Sequence, residues 1–286
     1  AVALTSVVTP FFVSGLANAA TFSFTAIPDQ DESRLTERFG KVADYLHQQL
    51  NVDVKYIPVK SYPAAVLAFR ANQVQLAWFG GLTGVQARHL VPGSEAIAQG
   101  AEDTAFKSYF IAWSGAGLTA DKTLPDALKG KRFTFGAKDS TSGRLMPEFF
   151  LRDRFKTTPE AVFSSVGFSG DHTKTIALVQ SGAYDVGAVN FAVWNDELKQ
   201  GLIDTSKVKI LWESPTFPDY QWSIRGDVDG TFGAGFKARV QKALLEMKDS
   251  VLLQAFPRSA FVPASNADYD PIEKTAQSIG IMDPAP

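Results

Sequence analysis

The chain has 286 residues, 45% of them apolar and 20% charged, enough to bury one large core or two modest ones. Lys and Arg number 28 against 30 Asp and Glu, and a formal charge of -2 excludes the basic field that would gather nucleic acid or an anionic membrane. Cysteine is absent, which excludes disulfides, thiolate nucleophiles and cysteine-based zinc sites.

Residues 1–20, AVALTSVVTPFFVSGLANAA, carry no charge and close on Ala17-Asn18-Ala19, a small-x-small cleavage pattern. Pro10 and Gly15 interrupt any strand or helix there, and the stretch is short for a membrane anchor. The expectation is a signal peptide, with the mature chain starting near Ala20 or Thr21 outside the cytoplasm. Beyond it the hydrophobic period alternates. TFSFTAI reads as a strand, and Leu35, Phe39, Val42, Leu46 and Leu50 fall on one face of a helix. Strand-like VDVKYIPV, helix-like PAAVLAFRAN, strand-like VQLAWFG and helix-like TGVQARHL follow, then strands around EAIAQG and SYFIAWS.

The pattern restarts with strand RFTFGA, helix RLMPEFFLRDRF, a strand around AVFSSVGF, helix HTKTIALVQ, and strands YDVGAVNF and KVKILWES. Alternating β and α elements predict mostly parallel sheets covered by helices, here in two α/β lobes. The Gly- and Pro-rich stretch Trp113–Gly130 separates the two runs, and a second pause spans Glu213–Tyr220. One strand (QWSIR) and two helices (FKARVQKALLEM and DPIEKTAQSIG) remain, too little for a third core, so they are expected to return to the first lobe. The expected division is residues 21–113 plus 218–286 for lobe 1 and 114–217 for lobe 2, with a ligand cleft between them at the carboxyl ends of strands.

At one such strand end stands DSTSG, residues 139–143. A helix starting near Ser142 points unpaired N–H groups and a partial positive charge of ~0.5 at the cleft, and hydroxyls there add donors. An oxyanion satisfies such a cluster without any basic side chain. An ordinary helix capped by Asp139 or Ser140 needs only one of these residues, and the spacing alone leaves both possibilities open.

The stretch KGKRFTFGAKDSTSGRLMPEFF resembles the anion-binding segment of the periplasmic phosphonate- and phosphite-binding proteins of ABC importers. IPDQDESRLTERFGKVADYLHQQL, YPAAVLAFRANQVQLAWFG and FSGDHTKTIALVQSGAYDVGAVN agree with that family in order and spacing. WFGGLTGVQAR, GSEAIAQGAED and FPDYQWSIRGDV are similar to a subgroup labelled selenate-binding. The resemblance implies a two-lobed periplasmic binding protein fold of type II that closes on a tetrahedral oxyanion and hands it to membrane permease subunits. Ser140, Thr141 and Ser142 match the family's hydroxyl cluster, His172 its histidine, expected to take a proton when the site is filled, and Tyr62 its first-lobe tyrosine. Phe106 stands where the family often has Tyr, with Tyr109 nearby. Asn190 stands where aminoalkylphosphonate binders have Asp, which removes the partner of a ligand ammonium. Trp78 and Phe79 end a first-lobe strand and are candidate cleft lining. No carboxylate is assigned to the site, although Asp29, Asp31 and Glu32 follow the first strand closely.

The rival class is a hydrolase acting on a phosphoester or ester. DSTSG lacks the G-x-S-x-G elbow, Asp171 adjoins His172 too closely to orient its ring, and no Lys follows Gly143 as in a phosphate loop. GAGFKA (233–238) follows a charged loop rather than a strand and is no dinucleotide fingerprint. His47 and His89 form no metal-ligand pair. The expectation is a monomeric transport component, not an enzyme, without cofactor or metal. Phosphite, phosphonate, phosphate and selenate or sulfate remain the ligands in play.

Overall fold

A computed structural model describes residues 20–283; the expected signal peptide, apart from Ala20, lies outside the described residues. Among the described residues the strands are β1 (Phe22–Ala26), β2 (Val54–Tyr56), β3 (Leu76–Phe79), β4 (Glu95–Gly100), β5 (Ser108–Trp113), β6 (Arg132–Phe135), β7 (Ser165–Phe168), β8 (Val186–Asn190), β9 (Val208–Glu213), β10 (Gln221–Ile224) and β11 (Phe261–Pro263). They form a six-stranded sheet in the order β11-β4-β10-β3-β1-β2 and a five-stranded sheet in the order β7-β6-β8-β5-β9.

Helices α1 (Glu32–Leu50), α2 (Tyr62–Arg70) and α3 (Gly81–Leu90) cover the first sheet. Helices α4 (Met146–Phe155), α5 (Pro159–Val162), α6 (His172–Gln180) and α7 (Phe191–Lys199) belong to the second. The chain then returns to lobe 1 with α8 (Val228–Phe232), α9 (Phe236–Leu245), α10 (Ser250–Leu253) and α11 (Asp270–Ser278). α1 shows why these residues form these elements. Leu35, Phe39, Val42, Leu46 and Leu50 are buried at helical spacing, and Asp31 caps the first turn by accepting from the Arg34 N–H.

One expectation needs correcting, and another gains detail. Most strands of each sheet run one way, but both sheets are mixed: β1 runs parallel to β2 and β3, whereas β10 runs against β3 and β4. In the second sheet β6 runs parallel to β7 and β8, whereas β5 runs against β8 and β9. β5 and β10, which run against the majority of their sheets, are the strands that enter a lobe from the other one; β11, at the edge of the first sheet, also runs against its neighbour β4. The first crossing also falls earlier than residue 113. β5 pairs entirely within the second sheet, so the chain leaves lobe 1 in the 3-10 turn Ala101–Ala105, before the Gly- and Pro-rich stretch that looked like the boundary. Its return passes Phe217, which forms a β-bridge with Phe106, so the two crossovers run side by side as one hinge.

Candidate functional site

Helix starts from both lobes meet in the cleft. From lobe 1 come α2, beginning at Tyr62 behind its Ser61 cap, and α3, beginning at Gly81 after Gly80. From lobe 2 come a π-turn at Thr141–Leu145 leading into α4, and α6, capped by Asp171. DSTSG does form a helix start: Ser140 accepts from the Gly143 N–H at 2.9 Å. Only Ser140 is used as a cap, which leaves Thr141 and Ser142 free for something else. The Thr141 hydroxyl accepts from the Leu82 N–H of α3 at 2.9 Å, across the cleft, and the Ser142 hydroxyl is buried without a hydrogen-bond partner. Gly80 makes this approach possible, because a Cβ there would sit 3.3 Å from the Thr141 hydroxyl.

The carboxylates that sequence reasoning did not assign are present. Asp219 accepts from the Gly81 N–H at 3.0 Å through Oδ1, while its Oδ2 is buried and unpartnered beside the Thr141 and Ser142 hydroxyls. Burial pushes its carboxyl up to about 7, against the lowering effect of the Gly81 N–H. Asp29, at the end of β1, accepts from the Tyr220 hydroxyl at 2.8 Å, and its backbone carbonyl accepts from the His172 N–H at 2.9 Å. Burial carries Asp29 up to about 6, with Tyr220 and Arg258 pulling the other way. Asp219 and Tyr220 lie on the return crossover. Both stand in the second pause, Glu213–Tyr220, and an acid and a tyrosine where the chain changes lobe are the signal that would have found them.

His172 carries no charge here, so the proton expected on it in the filled site would have to come with the ligand. It is fully buried, and that burial, aided by Arg258, depresses its imidazole to about 3, so the ring is neutral near pH 7. Its Nδ1 accepts from the Asn190 N–H at 3.3 Å, which leaves the proton on Nε2, 3.4 Å from the Tyr220 oxygen. The ring is therefore placed as a neutral donor. Asn190 is occupied by structure: its Oδ1 caps α7 through the Val193 N–H at 2.6 Å, and its Nδ2 donates to Tyr220 at 3.0 Å. It orients Tyr220 rather than reaching the centre.

Tyr62 is buried with its hydroxyl unpartnered beside Ser140. Trp78 and Phe106 stand behind Tyr220, each 5.5 Å from its ring centroid, and form an aromatic wall. Two candidates are not brought to the cluster. Phe79 alternates to the other face of β3 and packs edge-on against Phe69. Tyr109 packs on Phe191 and within the lobe 2 core. Outside Tyr62, a cleft of about 570 Å3 opens between Asp31, Lys60, Lys138 and Lys174.

The site therefore offers hydroxyls, main-chain amides, a neutral imidazole and two carboxyls of raised affinity for protons, without a basic side chain in contact. Such a set fits an oxyanion that retains an acidic proton. The family model for the periplasmic substrate-binding proteins of phosphonate ABC transporters matches residues 24–269. The chain belongs to this family. As a member it is an extracytoplasmic solute-binding component of an ABC importer, and a transport protein rather than an enzyme. It is 40% identical over 269 residues to the probable ABC transporter phosphite binding protein PhnD1 of Prochlorococcus marinus, covering 92% of this chain and 91% of that one. The structure of PhnD1 in complex with methylphosphonate superimposes with a TM-score of 0.86 at 39% identity, over 92% of this chain and 99% of that one. The phosphate-import protein PhnD of Mycolicibacterium smegmatis is 24% identical, over 91% of this chain and 86% of that one.

Proposed function

We propose that this binding protein captures phosphite and small alkylphosphonates such as methylphosphonate, which Thr141, Ser142, Tyr62 and His172 hold by donation and Asp219 and Asp29 hold by accepting a proton. The observation that carries this reading is the pair of buried carboxyls, Asp219 beside the Thr141 and Ser142 hydroxyls and Asp29 bonded to Tyr220. Near neutral pH phosphite and phosphonates keep an acidic proton in part, which a carboxylate receives. Fully ionised selenate or sulfate offers only acceptors and would leave that carboxylate in repulsion. The aromatic wall of Trp78, Tyr220 and Phe106 supplies a face that asks no hydrogen bond of a P–H or P–CH3 group. Asn190, spent on α7 and Tyr220, leaves a ligand ammonium without the carboxylate partner that aminoalkylphosphonate binders provide. The same reading has the chain exported by its N-terminal segment and delivering ligand as a monomer to its permease.

Calorimetry on a panel of phosphite, methylphosphonate, 2-aminoethylphosphonate, phosphate, sulfate and selenate tests this. Phosphite or methylphosphonate should bind tightest, and tightest binding of selenate or of the amine would defeat it. The carboxyls add a pH dependence. One proton shared between ligand and carboxyl bonds the two, whether the ligand or the carboxyl brings it, whereas two ionised partners repel, so the bound state holds that proton more firmly than the free one. Affinity is then full below about pH 6 and falls as Asp29 and Asp219 ionise through about 6 and about 7. Hypophosphite, whose charge is constant across that range, isolates the protein's contribution. A flat profile for hypophosphite would remove both carboxyls from the site.

A further inference from the structure

Away from the anion cluster, lobes 1 and 2 are joined a second time along one flank of the cleft. Asp196 and Glu197, adjacent on α7 of lobe 2, are almost fully buried, with side chains only 3% and 4% exposed. Asp196 accepts from Arg38 on α1 at 3.2 Å and from Gln254 of lobe 1 at 2.6 Å, in addition to Gln200 of its own lobe at 2.7 Å. Glu197 accepts from Thr173 at 2.7 Å and lies 3.9 Å from Arg34, also on α1. Arg38 is steadied by Gln30, and the Arg34 Nη1 is buried without a hydrogen bond. Thr173 follows His172 directly, so this group of charges is tied through one residue to the head of α6.

We propose that Arg34, Arg38 and Gln254 form a latch on Asp196 and Glu197 that sets how much of the protein is closed, and thereby its affinity, without touching the ligand. It rests on the phosphite and phosphonate reading above and assigns these five residues a positioning role in it. The physical basis is an asymmetry between states. With the lobes together the two acids are shielded from water and depend on lobe 1 for cations and amides; apart, water serves all five. Removing one partner therefore raises the closed state alone. Apparent affinity follows the competent fraction, so the cost appears in the dissociation constant, mainly through faster release once the lobes part more readily.

Arg38→Met keeps the apolar stem and deletes the charge, and Asp196→Asn keeps shape and amide contacts while deleting the opposite charge. Arg38→Met should raise the dissociation constants for phosphite and methylphosphonate by about 5- to 30-fold. Their ratio should stay unchanged, because nothing in the anion cluster is altered. Arg38→Lys should recover part of the loss, and the double variant Arg38→Met with Asp196→Asn should lose less than the two single losses multiplied. Because the chain has no cysteine, Lys55→Cys and Thr157→Cys, exposed positions on opposite lobes, carry the only spin labels for pulsed distance measurements. In Arg38→Met the short, closed distance should be less populated, both without ligand and at a fixed sub-saturating concentration. Unchanged dissociation constants with superimposable distance distributions overturn the latch, as does a changed ligand ratio. Wild-type protein that bound neither ligand would defeat the ligand reading instead, and the ligand-free distances would still decide the latch.

Discussion

Replacing Arg258 by Met is expected to cost about 3–5 kcal/mol of stability, seen as a fall in thermal midpoint on the order of 10 °C. Arg258 and Asp103 are a buried pair, 2% and 0% exposed, joined by Nε to Oδ2 at 2.7 Å and Nη2 to Oδ1 at 2.9 Å. The pair stands in the hinge. Asp103 lies in the first crossover and also accepts from the Tyr220 N–H at 3.1 Å, on the second. The guanidinium is held 4.9 Å from the ring centroids of both Phe106 and Tyr220. Without it Asp103 becomes an uncompensated charge, and burial, which already pushes its carboxyl up, acts unopposed by Arg258. The double replacement Arg258→Met with Asp103→Asn should recover much of the loss, since removing both charges leaves neither stranded. A midpoint unchanged by Arg258→Met alone would show that Asp103 finds water on its own and that the pair does not hold the hinge.

Thr141→Val should weaken binding of the preferred anion by about 1.5–3 kcal/mol, roughly 10- to 150-fold, while the fold stays intact. The substitution keeps the branched shape and deletes an oxygen with two uses. In the closed state it accepts from the Leu82 N–H across the cleft at 2.9 Å, and its proton is available to a bound oxyanion. Both losses fall on the closed, liganded form, so the effect should lie in affinity rather than in thermal stability. Equal calorimetric affinity for Thr141→Val and wild type would take Thr141 out of the site.

Much of this architecture could be read from hydrophobic period alone. α1, α6 and strands β1 to β10 lie within a few residues of where spacing put them, because each buries one face against a core of its own lobe, whereas β11, three residues at a sheet edge, was not read. What escaped was what depends on the other lobe. α7 follows β8 without a break and was absorbed into the strand reading of YDVGAVNF, since Asn190 both ends the strand and caps the helix. β5 was placed in lobe 1, because sequence order shows a pause in composition but not which sheet completes a strand's hydrogen bonds. The hydroxyls of the cluster and His172 stood out as motif letters at helix starts. Asp219 and Tyr220 did not, being brought beside the cluster only by the crossing that carries them into the cleft. The charge of His172 was equally illegible, because it follows from complete burial and not from its neighbours in the chain.

The paired crossovers at Phe106 and Phe217 have a mechanical meaning. In any rotation of one lobe against the other, a point is displaced in proportion to its distance from the fulcrum. Asp219 and Tyr220 follow Phe217 by two and three residues and are bonded to Asp103 on the neighbouring crossover. They ride on the axle. Ser140, Thr141, Ser142 and His172 are carried on the other lobe, whose Thr141 hydroxyl meets the first turn of α3 across the cleft. In the proposed function an arriving anion would first meet the seat formed by the return crossover and the head of α3, with the hydroxyl arm closing onto it afterwards. In the proposed function, an anion and a carboxyl that bring no proton between them would repel at the fulcrum, before the hydroxyl arm closes.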